Sequence, residues 1–128
     1  MCSVKIIFFQ DSNGSVPVLD WIKGLNKKDK AKVIDRIILL SERGHTLRRP
    51  HADSIRGSDL YELRLRFKKV RVRILYFFFK GKSTVLCHVV SRKKTDKIPQ
   101  VEINRALGKR GIFIKNPTKH SYGKEVLS

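Results

Sequence analysis

The stretch Asp59–Phe79, DLYELRLRFKKVRVRILYFFF, constrains the fold more than any other part of the chain. Successive strand residues point to opposite faces, so its first half places Tyr61, Leu63, Leu65 and Phe67 on one face and Glu62, Arg64 and Arg66 on the other. In the second half Val70, Val72, Ile74 and Tyr76 share a face, and Arg71, Arg73, Leu75 and Phe77 share the opposite one. A tight turn centred on Lys68-Lys69 sets Phe67 opposite Val70, Arg66 opposite Arg71, and Arg64 opposite Arg73. The apolar faces then coincide, and so do the arginine faces. Like charges directly opposite on a sheet cost roughly 0.2–1 kcal/mol per pair. An anion between them removes that cost, because guanidinium forks match phosphate oxygens two bonds at a time. In this reading the arginine face does no packing, so Arg73→Ala is expected to leave the fold intact.

Charge points the same way. The 128 residues carry 29 Lys and Arg against 11 Asp and Glu, a net charge of +18. That balance says little about fold and much about partners: nucleic acid, an acidic protein or an anionic surface. The length suits one domain with a real core. No apolar run approaches the ~20 residues of a membrane span. The opening MCSVKIIFFQDSNG lacks the apolar length and small-residue cleavage pattern of a signal peptide. Cys2 and Cys87 have no metal-ligand spacing and read as free thiols in a reducing cytoplasm. His45 and His51 lie six apart in a proline-bearing loop without acidic or cysteine neighbours at ligand spacing, so no metal or other cofactor is expected.

Around the hairpin, Val4–Gln10 reads as a buried strand and Asp11–Gly14 as a turn. Ser15 and Pro17 suit the start of a short helix carrying Val18, Leu19, Trp21, Ile22 and Leu25. Asn26 and Asp29 resemble a capping box for a second helix to about Glu42, stopped by Gly44. His45–Gly57 reads as a polar loop, and Ser83–Val90 as a further strand. Arg92, Lys93 and Lys94 follow it, before a last helix capped by Thr95 or Asp96, running to about Leu107 and stopped by Gly108. The expected fold is α+β: a small, mostly antiparallel sheet with an αα-hairpin after the first strand and a C-terminal helix, in the order β-α-α-β-β-β-α. Residues 1–110 form the domain, and residues 111–128 a tail, partly disordered unless Ile112, Phe113 and Ile114 dock on the body.

Five segments in this order resemble the RelE/ParE/HigB superfamily of bacterial toxins, in its phage-derived, HigB-like branch. They are PVLDWI at Pro17, RRPH at Arg48, GSDLYELRLRF at Gly57, VRVRILYFF at Val70 and RKKTDKIPQVEINRAL at Arg92. The resemblance spans roughly Val4 to Arg110. It implies the toxin of a type II toxin–antitoxin pair, a metal-independent endoribonuclease that cuts mRNA on the ribosome and leaves a 2′,3′-cyclic phosphate. It implies as partners the ribosome, mRNA and a cognate antitoxin, commonly a helix-turn-helix protein, bound in a toxin–antitoxin oligomer in the cytoplasm. The functional positions of the resemblance fall on Arg64, Arg73 and Lys94, with Arg66 and Lys93 as neighbours. The tyrosine that RelE-type enzymes use in the last helix has no counterpart in IPQVEINRAL.

Cleavage by the 2′-OH needs a base, stabilisation of the phosphorane and an acid for the leaving 5′-oxygen. Arg64 and Arg73 suit the middle task. Glu62 is the carboxylate on the arginine face, either a general base or an ion-pair partner. Lys94 is the candidate acid, and His88 a packed histidine that could compete for that role. Arg66, Arg71, Arg92, Lys93, Lys68 and Lys69 would hold the RNA. A ParE-like inhibitor that binds DNA gyrase without cleaving, and a basic RNA-binding module, are the alternatives. The second lacks a GXXG clamp or an aromatic RNP strand.

Overall fold

The computed structural model describes residues 4–93 and 97–122. The first strand, β1 (Lys5–Phe9), is followed by helices α1 (Pro17–Lys23) and α2 (Lys27–Arg43). A single 3₁₀ turn leads to β2 (Ala52–Ser54), β3 (Tyr61–Phe67), β4 (Val70–Phe79) and β5 (Ser83–Lys93). Helix α3 (Gln100–Lys115) and a two-residue β6 (Ser121–Tyr122) are the last elements among the described residues. The six strands form one sheet in the order β2-β3-β4-β5-β1-β6. All pairings are antiparallel except β1 with β5. The fold is therefore α+β and mostly antiparallel, with the αα-hairpin and C-terminal helix expected. The short β2 and β6 are additions that pattern reading missed. At three and two residues they show too little alternation to detect.

Local chemistry sets the helix ends. Asn26 caps α2 by accepting from the Asp29 amide at 2.8 Å, as the capping pattern predicts. At α1, Ser15 does not cap. Asp20 reaches back instead, its Oδ2 accepting from the Val16 amide at 3.0 Å, with Pro17 at the first position. The largest correction concerns α3. It begins after Pro99 rather than at Thr95 or Asp96, which lie outside the described residues, and it runs through Gly108 and Gly111 to Lys115. Phe113 is wholly buried, and its packing carries the helix past the glycines that read as a stop.

The sheet is packed on both faces. One core joins α1 and α2 to Leu63, Leu65, Val72, Ile74 and Tyr76; Trp21 packs at its margin, its ring stacked on Phe67 with centroids 6.2 Å apart. The other joins Ala106 and Phe113 of α3 to Leu75, Phe77, Val85, Cys87 and Val90. This explains why β4 changes character midway. Its first half alternates Val with Arg, whereas Ile74–Phe79 is apolar throughout, because α3 covers the second face only there. At the far edge, β6 pairs with β1, and buried His120 stacks on Phe9 with its Nδ1 2.7 Å from the Gln10 carbonyl oxygen.

Candidate anion-binding face

The hairpin forms in the register that alternation predicts. Arg64 faces Arg73, Arg66 faces Arg71, and Phe67 faces Val70 across the Lys68-Lys69 turn. Beta-strand β5 then extends further than expected and adds a third column. Arg92 is the partner of Arg71, Val90 of Arg73, and His88 of Leu75. Adjacent strands lie about 4.8 Å apart. Arg66, Arg71 and Arg92 thus form a row across three strands, with Arg64 and Arg73 in the next row. Helix α3 covers the Leu75–Phe77 end of this face, and its first turn adjoins the arginine end, where Glu102 Oε2 accepts from Arg92 Nη2 at 3.1 Å.

The two arginines first assigned to chemistry differ in environment. Glu62 Oε1 accepts from Arg64 Nη1 at 3.1 Å and from Arg73 Nε at 2.8 Å. Arg73 is 2% exposed and Glu62 is buried beside it, whereas the Arg64 side chain keeps 26% of its surface. The expectation that Arg73 does no packing is therefore overturned. It sits where β3, β4 and β5 converge, and Glu62 relieves the repulsion assigned above to a bound anion. Glu62 serves as an ion-pair partner of both Arg64 and Arg73. We expect Glu62→Gln to change cleavage less than tenfold while destabilising the fold by about 1–3 kcal/mol, the worth of charged hydrogen bonds. Single-turnover cleavage and chemical denaturation read the two effects separately.

Helix α2 supplies contacts that periodicity did not reveal. Strand β2 is too short to pair all of β3, and side chains replace it. Arg36 Nη1 donates to the Arg64 carbonyl, and Lys32 Nζ to the Arg66 carbonyl at 3.1 Å. Burial lowers the Arg36 pKa from its ordinary value. Arg36 and His51 line, with Arg64, Arg66, Arg71 and Arg73, a cleft of about 370 Å³. Their signal in the sequence is weak, since a basic residue on the polar side of an amphipathic helix is ordinarily solvated. Lys68 and Lys69 border a different groove with Lys28, Lys32 and Phe67. Lys93 ends β5 opposite Val70, and Lys94 lies outside the described residues.

A second polar cluster joins β5 to α3. Glu102 Oε1 lies 2.8 Å from His88 Nε2, and Lys109 Nζ lies 2.8 Å from His88 Nδ1. Arg105 reaches the same carboxylate at 3.4 Å. Unbroken alternation would set His88 on one face with both Leu86 and Val90. The irregularity opposite Leu75/Tyr76 leaves Cys87 as an extra residue, so that His88 and Val90 face α3 while Leu86 lies in the other core. With both ring nitrogens engaged, His88 is a packed residue of the helix–sheet joint. Burial lowers its pKa, the Glu102 hydrogen bond opposing and Lys109 adding to the effect. Glu102 is held below the usual carboxylate range, chiefly by the His88 hydrogen bond.

Both shifts predict a pH dependence with one sign. A histidine with a lowered folded pKa stabilises the fold above its unfolded value of about 6.5, and that stability falls as pH drops below it. Glu102 adds a further loss at more acidic pH, below the ordinary Glu value of about 4.3. Melting temperatures measured from pH 8 to pH 4 should decline below about 6.5, and His88→Gln should flatten the upper part of that decline.

Cys87 Sγ is buried, and burial pushes its thiol up to about 12. No group of three or more His, Cys, Asp or Glu able to hold a metal occurs among the described residues. No helix among them is long and apolar enough to cross a membrane.

Fold and face together define a small, basic α+β protein whose central hairpin exposes ordered guanidiniums. The chain belongs to the family of phage-derived Gp49-like proteins (DUF891), whose model matches residues 20–110. That family is associated with toxin–antitoxin systems. No curated protein matches the chain.

Proposed function

We propose that this chain is a RelE/HigB-type toxin that cuts mRNA on the ribosome and is neutralised by an antitoxin. The observation that carries the reading is the alignment of Arg66, Arg71 and Arg92 across three strands, beside Arg64 and Arg73. The four guanidiniums of these rows other than buried Arg73 suit a substrate that presents several phosphates. The association of the family with toxin–antitoxin systems supports the same reading.

In this mechanism the 2′-hydroxyl gives up its proton to water, its oxygen attacks the adjacent phosphorus as the bond to the 5′-oxygen breaks, and negative charge grows on the phosphoryl oxygens. Arg64, held by Glu62 yet partly exposed, donates to that charge with Arg71. Arg73 is a positioning residue: it fixes Glu62, which in turn fixes Arg64. Arg66 and Arg92 bind flanking phosphates, with Lys93 and the turn lysines Lys68 and Lys69 adding attraction at longer range. Lys94 is the proposed acid for the leaving 5′-oxygen. Tyrosine does not fill that role on this face, since Tyr76 is buried in the α1/α2 core and burial raises its pKa further.

Induced expression should stop translation, and primer extension on a translated message should show discrete cuts that disappear when ribosomes are withheld. Intact mRNA accompanied by DNA double-strand breaks would favour gyrase inhibition instead.

A further inference from the structure

Helix α3 is apolar on both sides. Inward, Ile103, Ala106 and Phe113 join the second core. Outward, Val101, Leu107, Ile112 and Ile114 remain 50%, 36%, 40% and 43% exposed. A helix that is hydrophobic all round is ordinarily covered all round. Gly108 and Gly111 lie on the same outward side, and a Cβ on either would meet nothing within 4 Å. Glycine inside a helix weakens it, and nothing among the described residues makes use of the small size of these two. The charges on the exposed side, Arg105 and Lys115, are cations. Glu102, the carboxylate of α3, is half-buried and bonded to His88, Arg92 and Arg105.

We propose that the outward face of α3 docks an acidic amphipathic helix of a partner protein, a proposal that rests on the reading above and locates its neutralising partner. Charge selects this occupant. A second copy would bring together two bodies of charge +18 with the same cations facing each other. An acidic helix would flank the apolar stripe with carboxylates able to pair with Arg105 and Lys115, and the glycines would let its backbone approach closely. Seated along α3, it ends beside Arg92, at the margin of the arginine rows.

The test uses the full chain and, as probe, the product of the reading frame adjacent to its gene, titrated by calorimetry. Wild-type binding should weaken with added salt, and Val101→Asp with Ile112→Asp should weaken it at least 100-fold. The melting temperature and ribosome-dependent cleavage of that variant should match wild type. Four results would overturn the proposal: no binding of the adjacent product, binding by the variant within threefold of wild type, loss of binding through Arg66→Ala with Arg92→Ala instead, or a wild-type dimer that the variant dissolves. If wild type cleaves no RNA yet binds the product through α3, the ribonuclease reading fails and the docking surface stands.

Discussion

Arg73→Ala is expected to destabilise the protein by about 3–5 kcal/mol, the usual result of removing one member of a buried ion pair. The alanine would leave Glu62 buried with Arg64 as its described partner and open a cavity at the junction of three strands. For a domain of this size the melting temperature should fall by roughly 10–25 °C. Activity will fall with it, so activity alone cannot distinguish a catalytic arginine from a positioning one. Arg73→Lys makes the distinction. It keeps the charge beside Glu62 and should recover part of the stability, while the loss of the fork geometry leaves Arg64 less well held. A melting temperature for Arg73→Ala within a few degrees of wild type would show the burial argument to be wrong.

The second large effect belongs to Arg64. Arg64→Ala should lower single-turnover cleavage on programmed ribosomes by about 10²–10³, as expected for one donor to a developing oxyanion. Its guanidinium is partly exposed, so the fold should lose far less than with Arg73→Ala. Arg66→Ala and Arg92→Ala should behave differently. Each weakens binding, and each reduces the dependence of log K on log salt by about 0.7 where a single-stranded phosphate contact is lost. Full cleavage by Arg64→Ala would remove the hairpin from the chemistry.

Much of this was legible in the residues. The alternation of Leu with Arg and of Val with Arg, closed by a two-residue turn, fixes the pairing of Arg64 with Arg73 and of Arg66 with Arg71, because strand faces repeat every two residues. The Asn26–Asp29 cap, the buried first strand and the apolar stripe of α2 follow from equally local rules. A signal for the second core was also present, since Leu75 and Phe77 share their face with Arg71 and Arg73 and are too apolar for a solvated surface.

What the residues could not decide depends on packing between distant segments. Which end of the arginine face is covered is settled by α3, whose 16 residues lie beyond β5 and whose course past two glycines depends on Phe113 packing against the sheet. The placement of Arg92 in the same row as Arg66 and Arg71 depends on the irregularity at Cys87, which resets the register of β5. The burial of Arg73 depends on Glu62 and on strands from both sides. The sequence by itself determined the hairpin and its charged face, because alternation and turn length act between near neighbours. Only the tertiary structure decided which of those arginines is buried and which stay exposed, because desolvation is set by whatever distant chain arrives to cover them.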